Sequence, residues 1–154
     1  MQKIFSWIAV ILWMSLIFYL SDQPAAESGE LSNKITEAVI RTIEKVAQPA
    51  SLDKGSLNHI VRKIAHFTCY LILAILVKNA LERSGLHGGK SILFALLICV
   101  LYAISDEVHQ LFIPGRSGEI RDVLIIDSSG AISGILIYLG ITSVRSRVRR
   151  RQSY

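Results

Sequence analysis

Three stretches of the chain hold the groups that can do chemistry. "RKIAHFTCY" (62–70) offers Lys63, His66 and Tyr70. "SDEVHQLFIPGRSGEIRD" (105–122) offers Asp106, Glu107, Gln110, Arg116 and Asp122, and "IDSSG" (126–130) offers Asp127. Carboxylates beside an imidazole are the equipment of general acid–base chemistry. Arginines such as Arg116 and Arg121 suit bidentate recognition of phosphate or carboxylate. Each stretch is flanked by long apolar runs. Whether they form one site therefore depends on how those runs are arranged.

The chain has 154 residues, 51% of them hydrophobic. Its mean hydropathy is +0.45. The apolar residues come in blocks, and a bilayer core needs about 20 helical residues. Blocks at 4–20, 60–81, 91–113 and 123–144 approach that length. The reading is an all-α integral membrane protein with four transmembrane helices, forming a single membrane domain over 1–154. The first block is read as a retained helix rather than a signal peptide, because no clear cleavage site follows it. Between the first two blocks, Leu31, Ile35, Val39, Ile43 and Val46 recur at helical spacing. They predict an amphipathic surface helix over about 32–47.

Net charge is +5, and its placement sets the topology. The tail "RSRVRRRQSY" (145–154) holds five arginines. The link between the second and third blocks is read as carrying Lys78, Arg83 and Lys90. The positive-inside rule puts both segments, and hence both termini, in the cytoplasm. The polar start of the second helix, the polar end of the third and the start of the fourth then meet at one depth in the outer leaflet. No polar group is expected in the inner leaflet, so a proton-coupled transport path lacks its second half. A basic tail next to a span is read as a headgroup contact, not a nucleic-acid site.

At about 100° per residue, Lys63, His66 and Tyr70 share a sector of the second helix. Tyr102, Asp106, His109 and Gln110 share a face of the third. Ionisable groups in a span cost about 2.5–3.5 kcal/mol each at its centre on insertion scales, so they face the bundle interior and pair. Gly130 and Gly134 stand at small-xxx-small spacing and read as a helix-packing surface. Cys69 and Cys99 read as buried free thiols. Neither an H-E-x-x-H motif nor a cysteine pair is present, so no metal and no cofactor is expected. A Ser–His–Asp site drawn from Ser128 or Ser129, His66 and Asp106 lacks the G-x-S-x-G signature.

The motifs K-x-x-H-F-x-x-Y (63–70), D-E-x-x-Q-x-F-x-x-G-R (106–116) and D-V-L with a later D-x-x-G (122–130) resemble those of the VanZ-like family of small bacterial membrane proteins. The similarity runs from about 15 to 142. The family is named for a protein that raises resistance to teicoplanin, a glycopeptide antibiotic with a lipid tail. The resemblance implies a cell-envelope role in the bacterial cytoplasmic membrane. It carries the family's polar motif onto Lys63, His66, Tyr70, Asp106, Glu107, Gln110, Gly115, Arg116, Asp122, Asp127 and Gly130. Family members usually place the last acid or Asn four residues after the Asp of D-V-L. Here the extra Ile in "VLII" makes the interval five. In a regular α-helix that would turn Asp127 about 140° from Asp122. Asp127 stays in the cluster only if Asp122 precedes the helix or a π-bulge absorbs the insertion.

Two readings follow. The first is an outer-leaflet polar cavity that binds a lipid-linked cell-wall precursor headgroup or a lipoglycopeptide, among membrane lipids. The second is an intramembrane enzyme using Asp106, Glu107 and His66 as acid–base groups on a lipid-linked substrate.

Overall fold

A computed structural model of the chain describes residues 1–24, 34, 54–114 and 123–152. The expected surface helix over 32–47 lies outside the described residues, Lys34 apart. Among those described there are helices and turns and no strand. Helix α1 is Gln2–Ser21, α2 is Lys54–Arg83 and α3 is Gly88–Gln110. A π-helical segment, Val123–Asp127, leads into α4, Ser128–Gln152.

Among the described residues, four stretches are long and apolar enough to cross a membrane: Gln2–Ser21, His59–Arg83, Gly88–Gln110 and Ile125–Arg149. The outer faces are sheathed in large apolar side chains, among them Phe5, Leu12, Leu93, Leu101 and Leu136. Small residues stand among the contacts between helices: Ala74, Ala80, Ala95, Ala103 and Ala131 are all buried, beside larger groups such as Leu73 and Val77. This is the pattern expected where lipid competes equally for large apolar groups and close backbone approach drives association. α2 and α4 run beyond their apolar blocks at their polar ends, because hydropathy marks only the hydrocarbon part of a helix.

Contacts along the helices give their directions. Trp7 near the start of α1 donates to Ser84 just past α2, and Trp13 donates to the carbonyl of Cys69 at 2.9 Å, so α1 and α2 are antiparallel. Tyr102 donates to the carbonyl of Met14, and His109 meets Asp22 beyond the end of α1, so α1 and α3 are parallel. The α2–α3 link is tight. Gly85 has φ +92°, with Leu86 N–H bonded to the Leu81 carbonyl and Gly85 N–H to that of Glu82, a Schellman C-cap. α3 was expected to continue to Ile113 but ends at Gln110. There the chain tightens into turns from Phe112 to His109 and from Ile113 to Gln110, ahead of Pro114.

Lys78 was expected in the α2–α3 link. It lies within α2 and is fully buried. Its ammonium pairs with Glu82 one turn on and sits 5.2 Å from the centre of the Tyr138 ring. Tyr138 in turn donates to the second oxygen of Glu82 at 3.0 Å. The expectation that buried polar groups gather at one end of the bundle alone is thus corrected, since a second cluster stands at the opposite end of α2. A cation in an apolar bundle is tolerable here because an acid and an aromatic face are both in reach.

Candidate functional site

Two backbone devices bring α4 against α2. A Cβ on Gly130 would overlap the carbonyl of Phe67, and one on Gly134 would overlap that of Leu71. The two helices therefore touch backbone to backbone, one residue past His66 and again one turn on. The second device is the π-segment. Its wider turn takes up one more residue than an α-turn, which accommodates the extra Ile of "VLII". The Ser128 hydroxyl donates to the Val123 carbonyl five residues back at 2.8 Å, tying off the widened turn. Asp127, the last residue of that segment, is thereby buried and faces α2.

Around it the polar groups converge. His66 Nδ1 stands 3.4 Å from Asp127 Oδ1, longer than a well-formed hydrogen bond. His66, Glu107 and Asp127 each present one potential ligand atom, all within 4.8 Å of one another. Asp106, Glu107 and Gln110 are buried on α3, and Gln110 donates to Asp106 Oδ2 at 3.3 Å. Tyr70 is 1% exposed and its ring lies 6.4 Å from that of Tyr102. Its phenol is within electrostatic range of Asp106, Glu107 and Asp127. Along the helix axes the cluster sits about 6–10 Å inside the spans, counting four residues from Asp106 to Gln110 and seven from His59 to His66.

Hydrogen bonding in this cluster is incomplete. Tyr70 Oη, Asp106 Oδ1 and both carboxylate oxygens of Asp127 are buried and accept or donate no hydrogen bond among the described residues. Orphaned buried polar atoms of this kind are rare, and each calls for an explanation such as a functional role or a bound group.

Of the residues singled out in the sequence, the structure brings together His66, Tyr70, Asp106, Glu107, Gln110 and Asp127. Lys63 is half-buried on α2, one turn before His66. Arg116 and Asp122, with Gly115 and Arg121, lie outside the described residues. His109 does not share the site with Asp106. It turns to Asp22 Oδ1 at 3.1 Å and stacks on Phe18 with ring centres 4.4 Å apart. Ser128 and Ser129 donate to carbonyls of their own chain, Val123 and Ile126, so the serine-nucleophile arrangement is not assembled. Cys69 and Cys99 are free thiols.

The sequence reading missed Ser21 and Asp22. Ser21 is buried next to Asp106, and Asp22 takes His109. The available signal was a polar Ser–Asp pair directly after the first apolar block, at the same level as the other polar ends.

No curated protein and no solved structure matches the chain. The family model for VanZ/LLP1 matches residues 5–143, which is nearly the whole chain and includes every element that builds the cluster. The chain is a multi-pass membrane protein of the VanZ/LLP1 family.

Proposed function

We propose that the protein works at the outer leaflet of a bacterial cytoplasmic membrane, with both termini in the cytoplasm. Its acid–histidine cluster engages the polar headgroup of a lipid-linked cell-wall precursor, or that of a lipoglycopeptide such as teicoplanin. The cellular consequence is resistance to that class of antibiotic. One observation carries this reading: buried Tyr70, Asp106 and Asp127 atoms hold unused hydrogen-bonding capacity in one cluster, inside the spans on the side where α3 ends. A lipid-anchored headgroup reaches that cluster without leaving the bilayer. Arg116 and Arg121, between α3 and the π-segment in the sequence, supply the charge that an anionic headgroup needs.

Teicoplanin susceptibility of a Gram-positive host expressing the wild type, Asp106→Asn, Glu107→Gln or Arg116→Ala tests this, with expression checked by immunoblot. The expected result is a several-fold rise in inhibitory concentration for the wild type and loss of that rise in the variants. An unchanged inhibitory concentration with the wild type overturns the resistance role. Equal protection by all variants removes the cluster as its source.

A second reading is favoured by the mutual approach of His66, Glu107 and Asp127. Neighbouring carboxylates whose environments separate their proton affinities can serve as acid and base on one substrate. In that case the lipid-linked precursors of expressing cells contain a species of new mass, absent with Glu107→Gln. An unaltered precursor profile in protected cells leaves binding as the mechanism.

A further inference from the structure

Three potential ligand atoms of different types, an imidazole nitrogen and two carboxylate oxygens, come from α2, α3 and the π-segment to within 4.8 Å of one another. No two of these residues are near in sequence, which is why no metal motif is legible in the chain. We propose that His66, Glu107 and Asp127 bind a divalent transition-metal cation, Zn²⁺ or Mn²⁺, whose open coordination positions take phosphate oxygens of a lipid-linked headgroup. The cation site stands on the geometry. Only the identity of the headgroup rests on the function proposed above.

Two observations independent of the grouping point to a ligand. Asp127 is 2% exposed and neither of its oxygens has a hydrogen-bond partner. An ionised carboxylate in apolar surroundings is strongly disfavoured unless a cation or donors meet it. His66 Nδ1 at 3.4 Å does not close that bond. Tyr70, 1% exposed, also has an unpartnered hydroxyl within electrostatic range of Asp127, Glu107 and Asp106. A metal-bound water or phosphate oxygen gives that phenol an acceptor.

The donor set limits the ion. Imidazole suits Zn²⁺ and its neighbours, and carboxylates suit Mn²⁺ and Mg²⁺. One nitrogen and two oxygens fall between them. Metal–ligand bonds of about 2.0–2.2 Å require the three atoms to draw in by roughly 1 Å from the separations seen, a matter of side-chain rotation. Three protein ligands leave a coordination position free, the arrangement of reactive rather than structural sites. Asp106 lies beside the group, held through Gln110, where it can orient a ligand or accept from a bound water. A dication held by two carboxylates also gives the site the affinity for phosphate that an acid cluster alone lacks.

The test uses the full chain purified in detergent without a polyhistidine tag and stripped with chelator. Zn²⁺ and Mn²⁺ are then titrated, reading metal per chain by mass spectrometry and the thermal unfolding midpoint. The expected result is one saturable equivalent, a midpoint that rises with metal concentration, and at least a tenfold loss of affinity in each of Asp127→Asn, Glu107→Gln and His66→Gln. Tyr138→Phe, at the far cluster, keeps wild-type affinity. Absence of a saturable equivalent in the wild type overturns the proposal, as does unchanged affinity in the three variants. Should a variant fail to fold, the wild-type titration still decides. Teicoplanin protection is scored separately. Metal binding without protection sinks the resistance role and leaves the cation site standing, whereas protection without metal binding sinks the cation site alone.

Discussion

Helix α2 carries a buried polar cluster near each end, 12 residues and thus about 18 Å apart along its axis. They are built on opposite plans. At one end the Lys78 ammonium, the Glu82 carboxylate and the Tyr138 hydroxyl and ring satisfy one another. At the other, His66, Tyr70, Asp106, Glu107 and Asp127 crowd three acids together and leave buried oxygens on Tyr70, Asp106 and Asp127 unpartnered. The first cluster is complete without help and reads as a clamp between α2 and α4. The second leaves hydrogen-bonding capacity unused, which is the premise of the cation site proposed above. Burial of charge alone therefore does not distinguish the two clusters, whereas hydrogen-bond satisfaction does. Functional sites are where a protein departs from the rule that buried polar groups are paired.

The sharpest way to break the comparison is to leave the clamp half-made. Glu82→Ala strands the fully buried Lys78 ammonium beside an aromatic ring. Removing one partner of a buried ion pair costs about 3–5 kcal/mol. Because the Glu82 side chain is 27% exposed, the expected loss is at the low end, about 3 kcal/mol by the same measure. Unfolding of the purified protein in mixed micelles measures it. The double variant Lys78→Met with Glu82→Leu is expected to recover most of the loss, since the desolvation cost vanishes along with the attraction. Failure of the single variant to destabilise would mean that this end is not a structural clamp.

The four spans were legible because length and hydropathy alone decide which segments can cross a bilayer. So was a close helix approach at Gly130 and Gly134, since small residues four apart let backbones meet, although their spacing does not name α2 as the partner. The π-segment was legible as one of two conditions: with one residue too many in "VLII", Asp127 joins the cluster if Asp122 precedes the helix or if the turn widens, and the turn does widen. Other features were hidden for physical reasons. A lysine near the end of an apolar block reads as a flanking charge. Its burial depends on Tyr138, 60 residues away in sequence. A helical sector as broad as a side chain's reach could not separate Gln110, which turns in to Asp106, from His109, which turns to Asp22. Ser21 entered the site because α1 runs parallel to α3, a pairing that the first block's own residues do not encode.

The glycine contact offers a second, smaller test, because it sets the spacing of the open cluster while lying between the two. Gly130→Ala forces a methyl group against the Phe67 carbonyl beside His66. Overpacking of this kind costs about 1–3 kcal/mol. It is also expected to push the π-segment away from α2 and weaken whatever binds between His66 and Asp127. Gly140→Ala is the control. Nothing lies within 4 Å of a Cβ there, and the change is expected to be neutral or to stabilise by about 0.5–1 kcal/mol through helix propensity. Equal stability of the two variants would mean that the helices do not touch at Gly130.

The smallest effect separates the clusters most cleanly, because the same substitution is expected to act with opposite sign at the two ends. Tyr138→Phe deletes a hydroxyl that donates to Glu82 at 3.0 Å. A hydrogen bond to a charged group contributes about 1.5–3 kcal/mol, and the partial exposure of Glu82 lowers that to about 1–1.5 kcal/mol. Tyr70→Phe deletes a buried hydroxyl with no partner. Removing an unsatisfied buried polar group returns its desolvation penalty, so the stripped protein is expected to gain up to about 1 kcal/mol. That gain should come with reduced occupancy of the site, the exchange of stability for function common at reactive centres. Chemical denaturation of both variants and the wild type, each with and without added Zn²⁺, reads the two signs in one experiment. Destabilisation by Tyr70→Phe equal to that by Tyr138→Phe in chelator would mean that the phenol is satisfied within the protein, and the contrast between the two ends of α2 would collapse.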